Sequence, residues 1–382
     1  MRNIYVIDDN GNYTMHWLMG LLWAEKEFKE KGYTISFHNG TTLVSRRLAK
    51  KQFLLGDLEK ICESSKEYDI ILLAFHWVRK FFDSPDDEII RVLVKLKNKC
   101  SMLVWLDTAD STGTPKFQFL PYVDFYLKKQ LLKEKKRYFG PIWGGKVHVE
   151  YYHNLLGIDD PEVHKNESFS PITNEKDLQK VGISWNVGAG NFAKGSIITQ
   201  IFHPYDYTKS YTFINPDSIK YYDIHFRGSA WSPLAGYQRR EVMERLKNAN
   251  GLSCPDTTKR VPIKEYIKEL MNSRTVCSPF GWGEICRRDF ETFIYGGALI
   301  KPDMSHIDTF PQWYIPEETY LPIRWDFSNF DELLEDLKDS NKDEYFRFIA
   351  HKGQDTFKSM MTTKRGKEIF VNHLLKQLHL DD

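Results

Sequence analysis

Residues 278–304, SPFGWGEICRRDFETFIYGGALIKPDM, decide how the second half of this chain folds. The pattern predicts the end of a strand, a glycine-rich turn, a helix that begins near Glu284, and, after a Gly-Gly pair, a short apolar strand. Gly281 and Gly283 let the backbone pass close to a ligand. The helix start offers backbone N–H groups that have no intrahelical partner, and such groups bind anions. This segment therefore predicts a strand–helix–strand unit with an anion site at the helix start.

Charged side chains in this helix indicate what the anion is. Arg287 and Arg288 fall in its first turn, where positive charge opposes the helix dipole, so we expect a fixed anion to offset that cost. Glu291 lies four residues after Arg287, on the same face of the helix, and can reach a second polar group of the ligand. A phosphate and a sugar hydroxyl held side by side describe a nucleotide diphosphate. An amphipathic helix with a pair of surface arginines is the alternative interpretation.

Composition and charge narrow the class of protein. A length of 382 residues predicts two domains, with room for a third. Lys plus Arg number 53 and Asp plus Glu number 52, so the formal charge is +1, which argues against a nucleic acid as the partner. The five cysteines show no zinc-like spacing, and their odd number favours a reducing compartment.

The sequence shows neither a secretory signal nor a membrane-spanning segment. The first residues, MRNIYVIDDN, lack the long apolar core of a signal peptide. No run approaches the roughly 18 apolar residues that a spanning helix needs. We therefore expect a cytoplasmic protein that is at most peripheral to the inner face of a membrane.

Strand and helix signals alternate along the chain. Residues 68–74, YDIILLA, are nearly all apolar, as in strands that parallel sheets bury on both faces. The pattern at 15–31 predicts one continuous helix, and the alternation resumes from Tyr222 after a less regular passage. We predict an α/β protein with two doubly wound, Rossmann-like domains that face a central cleft. The predicted domains are 1–212 and 213–363, with a final helix, 364–382, that packs back on the first domain.

Three segments of the second half together resemble a known family. They are FRGS at 226–229, the segment at 278–305, and TYLPIRWDFSNFDELLEDL at 319–337. In this order they resemble the carboxyl half of exostosin-like glycosyltransferases, and they are similar to protein O-glucosyltransferases and bacterial surface-polysaccharide glycosyltransferases. The resemblance implies the GT-B fold. It also implies that the second domain binds a nucleotide-diphosphate sugar donor and that the first domain binds the acceptor.

The resemblance implies roles for particular residues as well. An arginine of the FRG turn and an arginine of the glycine-rich helix neutralise the diphosphate, which matches Arg227 and either Arg287 or Arg288. An acidic residue later in that helix contacts the ribose in many GT-B enzymes, which matches Glu291. A surface arginine in a structural turn is the alternative for Arg227. The predicted donor site is completed by Ser229, Gly281, Gly283 and Glu284.

The predicted reaction follows from the leaving group. The nucleoside diphosphate gains negative charge as the glycosidic bond breaks, and fixed arginines and a helix N-terminus stabilise that charge without a metal. Asp107 and Asp110 are three residues apart, which differs from the DxD metal motif of the other large glycosyltransferase fold. Retaining GT-B families carry two glutamates eight positions apart, whereas Glu284 and Glu291 are seven apart. We therefore predict a metal-independent, inverting transferase with no cofactor beyond its nucleotide-sugar co-substrate.

Inversion also needs a general base for the acceptor hydroxyl, and in GT-B enzymes the first domain usually supplies it. The candidates follow strands of the first half, whose carboxyl ends meet at one edge of the sheet. They are Asp107 and Asp9, which are the first choices, and Asp110 and His76. The alternatives are simpler, since Asp9 can cap the first helix, Asp110 can form a turn, and His76 can be a packed core residue.

The sequence leaves the acceptor and the function class partly open. We expect a glycan or lipid-linked acceptor, in the synthesis of a surface polysaccharide or another glycan. A nucleotide-sugar epimerase on the same fold and a non-catalytic carbohydrate-binding protein are the alternatives. The motif VIDDN at 6–10 resembles the start of a phosphorylation-dependent receiver domain. We disfavour that class because the strand at 68–74 ends without the phospho-accepting aspartate.

Overall fold

The computed structural model describes residues 1–40, 55–75, 86–163, 171–186, 207–257 and 259–381. The strands of these ranges are β1 (Arg2–Asp8), β2 (Tyr33–Phe37), β3 (Tyr68–Phe75), β4 (Cys100–Asp107), β5 (Phe125–Lys128), β6 (Gln130–Leu132), β7 (Val181–Ile183), β8 (Tyr222–His225), β9 (Ser273–Cys277), β10 (Ala298–Pro302), β11 (Ile307–Thr309) and β12 (Leu321–Ile323). The α-helices are α1 (Asn12–Trp23), α2 (Glu25–Glu30), α3 (Leu55–Glu63), α4 (Asp86–Lys97), α5 (Val147–Leu156), α6 (Tyr237–Asn248), α7 (Ile263–Met271), α8 (Arg287–Tyr295), α9 (Phe330–Asp336), α10 (Asp343–Met361) and α11 (Lys364–Gln377).

The first half of the chain forms a six-stranded parallel sheet in the order β2-β1-β3-β4-β5-β7. The central strand β3 is buried from Ile70 to Phe75, on both faces of the sheet, which is why its sequence is a nearly continuous apolar run. Strands β2 and β3 lie on opposite sides of β1, so the sheet has a topological switch point beside β1. The predicted α/β class and a Rossmann-like first domain are confirmed.

The second half forms a four-stranded parallel sheet in the order β12-β10-β9-β8. Within it, β9, α8 and β10 are the strand–helix–strand unit that the sequence predicts. The helix begins at Arg287 and not near Glu284, so that prediction was wrong by one turn. The reason is the N-cap: Cys286 has an extended backbone, and its N–H donates a hydrogen bond of 3.0 Å to the Asp289 carboxylate in a capping box.

The region predicted as one helix over 15–31 is two helices, α1 and α2. They are separated at Ala24, whose φ of −107° and ψ of 20° lie outside the helical range. Both helices face α11, because the Phe370 ring packs 5.9 Å from the ring of Trp23 and 6.0 Å from that of Phe28. The carboxyl-terminal helix therefore lies against the first half of the chain. Within the described ranges, no helix is both long and apolar enough to span a lipid bilayer.

The two halves share a core and a small third sheet. Strand β6 of the first half pairs with β11 of the second half in antiparallel register. Leu131, Phe290 and Trp313 belong to one buried apolar cluster that draws on both halves. The loops that follow β4 and β9 meet where the Thr112 hydroxyl donates to Glu284. The carboxyl ends of the two parallel sheets therefore face each other, which confirms the predicted GT-B arrangement, while the boundary near residue 212 stays a prediction.

A buried ion pair ties β4 to β5. Asp107 and Lys128 are register partners at the carboxyl ends of these strands. The Lys128 Nζ lies 3.1 Å from the Asp107 Oδ2, and the two side chains are 0% and 5% exposed. Burial lowers the pKa of Lys128, and the Asp107 charge opposes that shift. Each charge therefore depends on the other, because both side chains are almost completely buried.

Replacing Lys128 with methionine (Lys128→Met) is expected to lower the free energy of unfolding by about 3–5 kcal/mol, because the buried Asp107 carboxylate would lose its counter-charge. Lys26→Met is the matched control. The Lys26 ion pair with Glu30, at 3.8 Å, is exposed on both sides, so its loss should change stability by less than about 0.5 kcal/mol. Urea unfolding followed by circular dichroism measures both. Equal stabilities of Lys128→Met and the wild type would contradict the role given to this pair.

Candidate functional site

Arg287 is an exposed cation at the start of α8. Among the described residues, none forms a hydrogen bond or an ion pair with its guanidinium. The pKa of His16 in α1 is lowered first by burial and then by the Arg287 charge, so the guanidinium lies towards the first domain. A positive side chain at the start of a helix therefore lies on the side that faces the first domain. This combination favours the binding of an anion.

Arg288, the next residue, points into the second domain instead. Its Nη1 donates to the Cys277 carbonyl at 3.2 Å, and its Nη2 donates to the carbonyl of Arg227. The guanidinium also lies over the Phe226 ring, 5.2 Å from the ring centre. Arg288 therefore holds the FRG turn in place. The sequence left open which of the two arginines faces the ligand, and the geometry favours Arg287.

Arg227 is committed to the protein itself. Its Nε and Nη2 form a bidentate pair with the Glu269 carboxylate, each at 2.6 Å, and its Nη1 donates to the carbonyls of Asp256 and Lys259. This fork geometry is the strongest that an arginine makes with a carboxylate. The predicted contact of Arg227 with a diphosphate would need one of these partners to be exchanged, and it stays a prediction.

A pocket of about 740 Å³ opens beside the FRG turn in the second domain. Its lining combines cationic and apolar side chains with one carboxylate: Arg227, Gly228, Ser229, Ala230, Arg240, Met243, Glu244, Thr257, Lys259, Arg260, Val261, Ile263 and Tyr266. At its inner wall, the Tyr266 hydroxyl donates to Glu291 at 2.7 Å. Burial raises the pKa of Glu291. Ser229 therefore lines the pocket, and Glu291 lies behind Tyr266 at its inner wall. The pocket has the size of a small-molecule site.

Glu284 joins the two domains and does not line the pocket. Its buried carboxylate accepts hydrogen bonds from the Thr112 N–H at 3.1 Å, from the Thr112 hydroxyl at 2.7 Å and from the Ser111 hydroxyl at 3.3 Å. Burial acts to raise the pKa of Glu284, but the neighbouring His148 and His306 and the hydrogen bonds outweigh it, and the pKa is lowered. The structure therefore supports an interdomain role for Glu284 in this arrangement.

The two glycines before α8 also allow close contact within the protein. A Cβ atom at Gly283 would lie 1.9 Å from the backbone oxygen of Asp110 in the first domain. A Cβ atom at Gly281 would lie 3.0 Å from the Arg239 Nη2. The sequence assigns these close approaches to a ligand, whereas in the structure protein atoms occupy both places. The loop after β4 passes directly over Gly283, so this position has no room for a side chain.

The acids of the first domain differ in their access to the cleft. Asp107 is buried and accepts hydrogen bonds from the Tyr126 hydroxyl at 2.7 Å and from Lys128. Asp9 is buried and accepts from the Gly11 N–H at 2.8 Å and the Thr14 hydroxyl at 3.0 Å, which orders the turn into α1. The Asp110 side chain is 37% exposed. Of the three aspartates, the geometry favours Asp110 as a base, although the sequence ranked it last.

His76, the remaining candidate, lies outside the described residues. Sequence reasoning missed the partners of Asp110. The Tyr13 hydroxyl donates to its carboxylate, and the Lys129 Nζ lies 3.0 Å from the same carboxylate and 2.7 Å from the Tyr13 oxygen. Burial acts to lower the pKa of Lys129, but Tyr13 and Asp110 outweigh it and raise the pKa. These residues are 97 and 19 positions from Asp110 along the chain, so no local motif could reveal them.

No protein-family model and no curated protein sequence matches this chain. Among solved structures, it is similar to an alpha-glucosyltransferase in complex with UDP, with 10% identity, a TM-score of 0.48, and coverage of 97% of this chain and 100% of that one. It is similar to sucrose-phosphate synthase from Thermosynechococcus elongatus, with 10% identity, a TM-score of 0.46 and complete coverage of both chains. It is also similar to S. aureus MnaA with UDP, with 10% identity, a TM-score of 0.40, and coverage of 100% and 98%.

The Gly283 contact can be tested by adding one methyl group. Gly283→Ala is expected to lower the free energy of unfolding by about 1–3 kcal/mol, because the new Cβ would push the loop at Asp110 away. Gly56→Ala is the matched control, since no atom of the described residues lies within 4 Å of a Cβ at Gly56 in α3. There we expect no loss, and a gain of up to about 1 kcal/mol, from the better helix propensity of alanine. Thermal unfolding compares the two, and an unchanged melting temperature for Gly283→Ala would contradict the close interdomain contact.

Proposed function

We propose that this protein is a glycosyltransferase that moves a sugar from a nucleotide-diphosphate donor to the hydroxyl of an acceptor. The observation that carries the proposal is Arg287, an exposed guanidinium without a protein partner among the described residues, at the N-terminus of α8. A leaving nucleoside diphosphate gains negative charge as the glycosidic bond breaks. A fixed cation and a helix start stabilise that charge in the transition state.

The donor lies along the second domain in this proposal. Its diphosphate is bound at the start of α8, by Arg287 and the backbone N–H groups. The nucleoside extends from there into the pocket of about 740 Å³, where Ser229 and Tyr266 are on the wall. The Tyr266 hydroxyl donates to Glu291, so the Glu291 carboxylate lies behind that wall. In this proposal Tyr266 stands between the carboxylate and a ribose hydroxyl. The cationic lining of the pocket supports a ligand that carries negative charge.

The acceptor approaches from the first domain. Asp110 is the carboxylate that we assign as the general base, because it is partly exposed and lies on the loop that meets the α8 turn. Attack on the face of the sugar opposite the leaving diphosphate gives inversion. Arg287 and the helix dipole carry the leaving-group charge, so the proposed reaction proceeds without a metal. We propose a glycan or lipid-linked acceptor, met at the cytoplasmic face of a membrane in the synthesis of a surface glycan.

Arg287→Ala is expected to weaken the binding of a nucleoside diphosphate by about 1.5–3 kcal/mol, which is roughly 10- to 150-fold, since it removes a charge-assisted contact. Calorimetry with the 5′-diphosphates of uridine, guanosine, adenosine and thymidine identifies the ligand and measures the change. Arg365→Ala is the matched control, because Arg365 is an exposed arginine on α11 whose carboxylate contact is 3.6 Å long. If Arg287→Ala and the control bind the nucleotide as tightly as the wild type, the donor site is elsewhere.

Asp110→Asn is expected to lower the rate of transfer by about 10²–10⁴-fold, because an amide cannot take the proton of the acceptor hydroxyl. The affinity for the donor nucleotide, measured by calorimetry, should stay close to that of the wild type. Asp355→Asn, at an exposed position in α10, is the control for the loss of one negative charge. Full transfer activity in Asp110→Asn would rule this residue out as the base.

A further inference from the structure

Trp282 is an exposed ring in an otherwise buried turn. The turn at 278–284 connects β9 to α8, and Trp282 is its one exposed residue, with 49% of its surface accessible. The Lys146 Nζ lies 4.9 Å from the centre of the Trp282 ring, and Lys146 is itself only 3% exposed. A buried cation therefore covers the indole from inside, while about half of the residue's surface is open to solvent. A rigid, half-exposed tryptophan is a feature of binding surfaces.

The ring is held in place by a short series of stacked groups. Trp231, in the loop after β8, lies 5.4 Å from Trp282 with the ring planes inclined at 35°. The Arg239 guanidinium lies 4.5 Å from the centre of the Trp231 ring. The buried neighbours Phe280 and Gly283 anchor the turn on both sides. Trp282 thus presents a preorganised flat surface, and a ligand would lose little free energy in ordering it.

This surface adjoins the candidate base. Gly283, the next residue, packs directly on the backbone of Asp110. A second exposed ring, Tyr13 with 44% of its surface accessible, donates its hydroxyl to the Asp110 carboxylate. The backbone of Lys146 lies against Gly113, where a Cβ would be 3.2 Å from the Lys146 Cα. Two exposed aromatic rings and a partly exposed carboxylate therefore share one region at the junction of the domains.

We infer that Trp282 and Tyr13 form a carbohydrate-binding subsite, in which the C–H face of a pyranose ring stacks on the Trp282 indole while its hydroxyls meet the polar groups around Asp110. An apolar ring face edged by hydroxyls matches an aromatic platform edged by a carboxylate, a phenol and an ammonium group. A lipid chain would gain nothing from those charges. The role of this subsite as the acceptor site rests on the proposed function, and it commits the acceptor to a sugar and not to a lipid or a peptide.

Saturation-transfer NMR on the full chain tests this subsite without requiring turnover. The probes are the methyl glycosides of glucose, galactose, mannose and N-acetylglucosamine, together with cellobiose, lactose and chitobiose. At least one of them should receive saturation at its ring C–H protons. Trp282→Ala should abolish that signal, whereas Trp282→Phe, which keeps an aromatic face, should retain part of it. Thermal unfolding of each variant verifies that it is folded.

Tyr221→Ala is the matched control, because Tyr221 is an exposed aromatic residue that precedes β8 and has no part in the subsite. It should leave the sugar signal unchanged. A signal that persists in Trp282→Ala, or the absence of a signal from every probe in the wild type, would overturn the inference. Nucleoside diphosphate binding is a separate measurement. Sugar binding through Trp282 in a chain that binds no nucleotide would overturn the proposed transferase and leave the carbohydrate subsite standing.

Discussion

The relative position of the two domains depends on the Glu284 carboxylate. It is fully buried, and it accepts hydrogen bonds from both the backbone and the hydroxyl of Thr112, a residue of the other domain. A buried carboxylate is costly unless its oxygens are satisfied, so this contact exists only when the two loops are in register. The close approach of Gly283 to Asp110 adds a steric limit to the same junction. Together, an electrostatic and a packing requirement specify one relative position of the loops.

Arg227, Arg287 and Arg288 have different roles. Arg288 donates to the carbonyl of Arg227, and Arg227 in turn binds Glu269 through a bidentate pair. These two guanidinium groups therefore organise the turn after β8, and their charges are directed to the protein. Arg287 alone of the three is turned outward. The inner pair stabilises the surface from which the outer cation is presented, and this is why neighbouring positions in one helix turn are not interchangeable.

Features that depend on local interactions could be predicted from the sequence, and features that depend on contacts between distant residues could not. Strands such as β3 could be predicted because burial on both faces leaves an unbroken apolar run. The start of α8 was misplaced because Cys286 is an uncommon N-cap, and only the reciprocal bond to Asp289 marks it. The choice among the aspartates stays a prediction, and it depends on contacts that the sequence does not reveal. Asp107 and Asp110 look alike in the sequence, and each pairs with a lysine, Lys128 and Lys129 respectively. What separates them is burial, since the Asp107 side chain is 5% exposed and the Asp110 side chain is 37% exposed.

The position of Asp110 connects the architecture to the chemistry. Its backbone oxygen accepts a hydrogen bond from the Gln130 side chain and contacts Gly283, so the residue is part of the interdomain junction. Its side chain extends from that junction towards Tyr13 and Lys129. A general base must be held near its proton within a fraction of an ångström, and a buried junction supplies such rigidity better than a free loop. Because Gly283 is four residues before Arg287, the same contact also sets the distance between the carboxylate and the cation at the start of α8. A movement that separated the domains would therefore disturb the proposed base and the proposed anion site together, since both are attached to one short stretch of packed backbone.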